Sequence, residues 1–133
     1  MSRVLLRSFI FTPCILILQF PVLGVFCSRS VKLCRVQLDL THNRVGPDGA
    51  LSLAFSLTRN TTLRRLILRH NLIRDAGCEA LAHALSSAGA SLTELSVAAN
   101  GLSDVAATAL GAMLAANTTL CGLDVSANAL GEV

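Results

Sequence analysis

Leu66-Ile67-Leu68-Arg69-His70-Asn71 returns, altered mainly in its variable places, as Leu38-Asp39-Leu40-Thr41-His42-Asn43, Leu95-Ser96-Val97-Ala98-Ala99-Asn100 and Leu123-Asp124-Val125-Ser126-Ala127-Asn128. The four asparagines stand 28, 29 and 28 residues apart. A fixed period of this size marks a chain built from like units, each of which buries its apolar face only against the next. Eight residues before an Asn comes Leu63, Leu92 or Leu120, with Arg35 in that place in the first unit. Two residues after it comes Val45, Ile73, Leu102 or Leu130.

The second half of each unit aligns as well. Ten residues past the Asn stand Leu53, Leu81 and Leu110, and fourteen past it stand Leu57, Leu85 and Leu114. These positions lie about one turn apart on a helix, with Ala54, Ala82 and Gly111 as small neighbours. Asp75 and Asp104 are the expected N-caps of the later helices, and Pro47-Asp48 takes that part in the first unit.

The pattern Leu-x-x-Leu-x-Leu-x-x-Asn, followed by an alanine-rich helix and an Asn-Thr-Thr-Leu loop (Asn60 to Leu63, Asn117 to Leu120), resembles the leucine-rich repeats of ribonuclease inhibitor and the NLR immune receptors. The resemblance covers residues 35–133, as three full units and the start of a fourth. It implies an α/β solenoid, with a curved parallel sheet inside and helices outside. Leu66 and Leu68 then point inward, because side chains of a strand alternate between its faces. The resemblance also implies structural roles for Asn43, Asn71, Asn100 and Asn128, whose amides form a ladder of bonds to neighbouring loop backbone.

With 133 residues and 53% apolar content, the chain is long enough for one domain with its own core. It has five Phe and neither Trp nor Tyr, so that core is aliphatic. The net charge of +3 conceals a strong asymmetry. Residues 1–34 carry +4, residues 35–74 carry +5 with seven Arg, and everything after Arg74 carries −6 with no Lys or Arg. Such a polarised chain is not a uniformly basic nucleic-acid binder, and no nucleic-acid partner is expected.

Chemistry finds little support. Cys14, Cys27, Cys34, Cys78 and Cys121 are odd in number and lack the close pairs of a disulfide framework or zinc site, which favours reduced thiols. Cys78 and Cys121 have no histidine at a compatible repeat position, and both read as buried apolar filler. His42 and His70 hold equivalent places about 5 Å apart, near enough to share a metal. Ala99 and Ala127 follow them, so no third ligand is supplied and a surface pair is expected. No glycine-rich phosphate loop is present. The expectation is a protein without catalytic residues, metal or cofactor.

Binding has better candidates. The open face of the sheet is expected to present Asp39 and Thr41, an exposed Ile67 beside Arg69, Ser96 and Ala98, then Asp124 and Ser126. Arg64, Arg65, Arg69, His70 and Arg74 cluster within eleven residues, as either a receiver for an acidic partner or a solvated rim. Together these suggest a protein-interaction module of the kind that inhibitors, sensors and scaffolds of the resembled family use. The partner is a protein of unknown identity.

Two segments complicate the reading. Ser8 to Ser28 is a run of 21 uncharged residues behind Arg3 and Arg7, which fits a secretory signal or a membrane anchor. Pro13, Gln19 and Pro21 weaken the spanning alternative. Asn60-Thr61-Thr62 and Asn117-Thr118-Thr119 fit the glycosylation sequon, yet both fall at the same loop of the repeat, which favours a structural use. Repeats of 28 and 29 residues resemble those of cytosolic members of the family, so a cytoplasmic protein with an atypical leader over residues 1–34 is expected. A secreted or membrane-anchored receptor fragment is the alternative, and membrane contact would run through residues 8–28 alone. At the other end, Val133 follows Asn128 by five residues, and a fragment of something longer, marginally stable by itself, is expected.

Overall fold

The computed structural model describes residues 36–87 and 91–131. The leader over residues 1–34 lies outside the described residues. Strands and helices alternate strictly, as β1 (Val36–Asp39), α1 (Pro47–Leu57), β2 (Leu63–Ile67), α2 (Arg74–Leu85), β3 (Glu94–Ser96), α3 (Asp104–Ala116) and β4 (Gly122–Asp124). The four strands form one parallel sheet in the order β1-β2-β3-β4. Every strand thus pairs with its sequence neighbour, and each helix serves as the return crossover that a parallel pair requires.

The register carries the period directly into the core. Leu38, Leu66, Leu95 and Leu123 are partners across the sheet, in one row pointing at the helices. Leu66, Leu68, Leu81, Val97 and Leu102 are fully buried, and the other inward leucines and alanines of strands and helices join the same cluster. Each such Leu removed from water contributes about 1.5–3 kcal/mol. Helix packing depends on small residues. A Cβ on Gly77 would stand 2.8 Å from that of Ala50 and 2.7 Å from Ile73 Cγ2, so glycine lets α2 approach α1. Leu57 and Leu85 are buried by the next helix, whereas Leu114 on α3 is 48% exposed.

Helix starts differ from expectation in an instructive way. Pro47 opens α1 as anticipated, where its missing N–H costs nothing. Asp75 and Asp104 are not N-caps. Ser103 caps α3, accepting the Val105 N–H at 3.4 Å, while Asp104 is already inside the helix. Asp75 instead reaches forward one repeat, where Oδ1 accepts the Ser103 N–H and Oδ2 the Ser103 hydroxyl, each at 2.7 Å. Asp104 repeats the device by accepting the Gly131 N–H at 2.6 Å. These carboxylates join repeats to one another.

The asparagine ladder forms between repeats, although its members are unequal. Asn71 and Asn100 are buried. Asn71 Oδ1 accepts the N–H groups of Asn43 and Val45 in the preceding repeat, and its Nδ2 donates to Leu40 O and Leu68 O. Asn128 acts likewise on Asn100 and Leu102 while half-buried. Asn43 is exposed, and its amide donates only to the nearby Thr41 O, so its part in the ladder is that of a backbone donor, through its N–H to Asn71 Oδ1.

Candidate functional site

Strand alternation sends one set of side chains into the core and the other onto the open face of the sheet. Three rows cross that face. The middle one is Asp39, Ile67, Ser96 and Asp124, as the sequence leads one to expect. The first is Gln37, Arg65, Glu94 and Gly122, of which only Arg65 is a sequence-based candidate. Carrying the alternation two residues back from Asp39, Ile67, Ser96 and Asp124 would have found the others. The third comprises Thr41, Arg69, Ala98 and Ser126, continued by backbone bonds such as His70 N–H to Ala98 O at 3.0 Å.

Two arginines expected to be free for a partner are engaged within the chain. Arg65 sets Nη2 against Glu94 Oε1 at 2.7 Å and Nε beside Oε2 at 2.5 Å, the latter poorly aligned for a hydrogen bond and so mainly ionic attraction. Its Nη1 donates to Gln37 Oε1 at 3.2 Å, and the bond to Glu94 above all holds its guanidinium above the usual pKa. Arg69 Nε stands 3.6 Å from Asp124 Oδ2, and to reach it the side chain crosses the third repeat. Ala98, expected on the exposed face, is buried there at 1% exposure. Asp124 is held below the usual carboxylate range by the Ser126 hydroxyl and N–H, with help from Ser96 and Arg69. Arg64, at the strand's start, spends Nη1 on Ser91 O at 2.7 Å.

Between these pairs lies a shallow depression of about 470 Å³, floored by Ile67, Ser96 and Gly122. Ile67 is half-buried rather than exposed, because its neighbours on the sheet flank it. A Cβ at Gly122 would come to 3.4 Å of Glu94 Cγ, so the glycine keeps this end of the face low. Asp39 is tied locally, accepting the Thr41 hydroxyl at 2.6 Å. The site is an amphiphilic floor between two ion pairs.

The remaining candidates are placed as follows. His42 and His70 are exposed and stack with ring centroids 4.4 Å apart and planes 8° from parallel. Among the described residues no group of three or more metal-ligating side chains forms. Cys78 is buried, which pushes its thiol up to about 11. Cys121, expected to be buried, is exposed just ahead of β4, since Leu120 and Leu123 take the inward places. Asn60 and Asn117 form the same loop: each Oδ1 accepts the N–H of the second Thr and of the following Leu, at 2.7–3.0 Å. Among the described residues no helix is long and apolar enough to cross a membrane.

The Leucine Rich repeat family model matches residues 36–54, 59–82 and 90–111, one segment for each strand–helix unit above. These segments are leucine-rich repeats. The solved structure of leiomodin-1 actin-binding site 2 (ABS2) is similar to the repeat array with a TM-score of 0.62 and 20% identity, over 66% of this chain and 51% of that one. The chain thus spans about half the length of that structure. No curated protein matches the chain.

Proposed function

We propose that the leucine-rich repeat array is a non-enzymatic interaction module that receives a protein on the open face of its sheet and the adjoining rim. The observation that carries this reading is the depression over Ile67, Ser96 and Gly122, walled by the pairs Arg65–Glu94 and Arg69–Asp124. An apolar centre edged by oriented charges is the anatomy of a protein interface. The pairs also set the sense of specificity: because each arginine is neutralised in place, a partner gains by matching an alternating pattern of charge. A wholly acidic partner would have to displace Glu94 and Asp124.

An actin-binding region of leiomodin-1 with this fold supports a binding use of the architecture. Similarity to ribonuclease inhibitor and NLR receptors, with their 28- and 29-residue repeats, supports placing the module in the cytoplasm. Asn117 Nδ2 donates to Leu85 O at 2.6 Å, which gives this sequon asparagine a structural use between repeats.

Quantitative cross-linking tests the surface. Ile67→Asp and Arg69→Glu, with melting temperature checked, are expected to abolish capture of the proteins that the intact chain retains. Retention of the same proteins by both variants would reject this face.

A further inference from the structure

The turns that follow the strands form a second surface, whose two halves differ in kind. Taken at the places one before, one after and three after each repeat asparagine, the first two turns present His42, Arg44 and Gly46, then His70, Leu72 and Arg74, all but Gly46 exposed. The same places in the later turns hold Ala99, Gly101 and Ser103, then Ala127, Ala129 and Gly131. A cationic ridge therefore continues into a bare ledge. The ridge is organised: His42 lies flat on His70, Leu72 is 53% exposed between the two arginines in sequence, and Arg74 Cδ lies 3.8 Å from where Gly101 would carry a Cβ.

Two features separate these arginines from Arg65 and Arg69. Neither Arg44 nor Arg74 makes an ion pair or side-chain hydrogen bond among the described residues; Asp75, next to Arg74, feels its charge but has both oxygens on Ser103. Both also occupy left-handed backbone, at φ 55° and 58°; the place of Arg44 carries Gly101 at φ 68° in the third turn, and the place of Arg74 carries Gly131 at φ 75° in the fourth. Glycine suits that conformation and arginine does not. Each arginine thus stands in a conformation for which one other turn of the repeat uses glycine.

We propose that this rim is a docking strip for an extended segment of another protein that carries Asp or Glu side chains at one end, a bulky apolar residue beside them, and close-lying backbone beyond. Arg44 and Arg74 take the carboxylates, Leu72 takes the apolar side chain, and the ledge over Gly101 and Ala127 admits the rest of the segment. A nucleic acid fits less well, because its phosphates would continue along the strip into the half of the chain where Asp104 and Asp124 stand and no Lys or Arg occurs. The proposal rests on the reading of the array as a protein-binding module and adds the chemistry of what it binds.

Fluorescence anisotropy of the full chain tests it, with a labelled Glu-rich peptide containing one Leu and a single-stranded oligonucleotide of equal length as probes. The peptide is expected to bind and to weaken with added salt. Arg44→Gly combined with Arg74→Gly should lower its affinity about tenfold or more, since rim charges govern such encounters, while thermal stability holds or rises. Leu72→Ser should weaken it further, and Leu51→Ser on the outer face should change nothing. Unchanged affinity in the double glycine variant, tighter binding of the oligonucleotide, or no peptide binding would each overturn the proposal. Proteins captured by the intact chain and lost with Ile67→Asp, yet kept by the double glycine variant, would overturn the rim and leave the open-face reading standing; loss with neither would overturn both.

Discussion

Asn128 Oδ1 receives the backbone N–H of Asn100 at 2.8 Å, so the asparagine of one repeat closes the turn of the repeat before it. The same bond runs from Asn43 N–H to Asn71 Oδ1 at 3.0 Å. Each amide thus satisfies backbone groups that a tight buried turn would otherwise leave without partners. The order of the stack is written in these side chains as much as in its leucines.

Removing a buried member should therefore cost far more than removing an exposed one. Asn100 is 1% exposed and donates to Leu68 O and Ala98 O at 2.8 and 2.9 Å. Asn100→Ala is expected to destabilise by about 3 kcal/mol, because it strands buried carbonyls. Asn43→Ala, at the exposed end, should cost under about 1 kcal/mol. Urea midpoints at unchanged slope measure both, and equal losses would refute the ladder.

Gly77 decides how close the first two helices come. Glycine to alanine inside a helix ordinarily gains about 0.5–1 kcal/mol. Here the new methyl would meet Ala50 Cβ at 2.8 Å and Pro47 Cα at 3.2 Å. Overpacking should prevail, with Gly77→Ala costing about 1–3 kcal/mol in denaturant unfolding. A stabilised variant would show that the helices part freely.

Much of this was legible in the sequence, and the exceptions have a common cause. The 28- and 29-residue spacing of Leu38, Leu66, Leu95 and Leu123 sets which residues are core, since period and register are the same quantity in a stacked array. What spacing does not contain is the reach of a long side chain. Arg69 crosses to Asp124 and buries Ala98, and Asp75 reaches Ser103 in preference to capping its own helix. Both contacts join residues more than 25 positions apart, between places that differ within the repeat, so neither shows in an alignment of the repeats. Gln37 and Glu94 stand on the same face as Asp39 and Ser96, two residues back along each strand, ahead of the leucine where the repeat pattern is least regular.

Acid should loosen the joint between the second and third repeats. Asp75 is held below its ordinary value of 3.8, chiefly by the Ser103 N–H and then by the Ser103 hydroxyl. A depressed folded-state value means that the carboxylate stabilises the fold at pH above the unfolded value, and that this support disappears as pH falls through the folded value. Asp75→Asn should remove that share of the acid dependence from a melting-temperature series between neutral pH and about pH 2. An identical acid profile in the variant would contradict the role given to this carboxylate.

Strain at Arg44 is open to direct measurement. At φ 55° a side chain with a Cβ is crowded, by about 1–2 kcal/mol in a left-handed turn. Part of that returns as the greater freedom of glycine when unfolded, so Arg44→Gly should stabilise by about 0.5–1 kcal/mol. Arg44→Ala, which keeps the Cβ, should stabilise little. Equal gains from the two would mean that charge, and not backbone, sets the difference.

The central claim is that partners meet the open face of the sheet and not the outer helices. Site-specific photo-cross-linking distinguishes the two, with a photoreactive residue placed in turn at Ile67 and at Phe55, the latter 57% exposed on the outer face of α1. Adducts to the same partner are expected from position 67 and absent from position 55. Adducts from Phe55 with none from Ile67 would contradict the account.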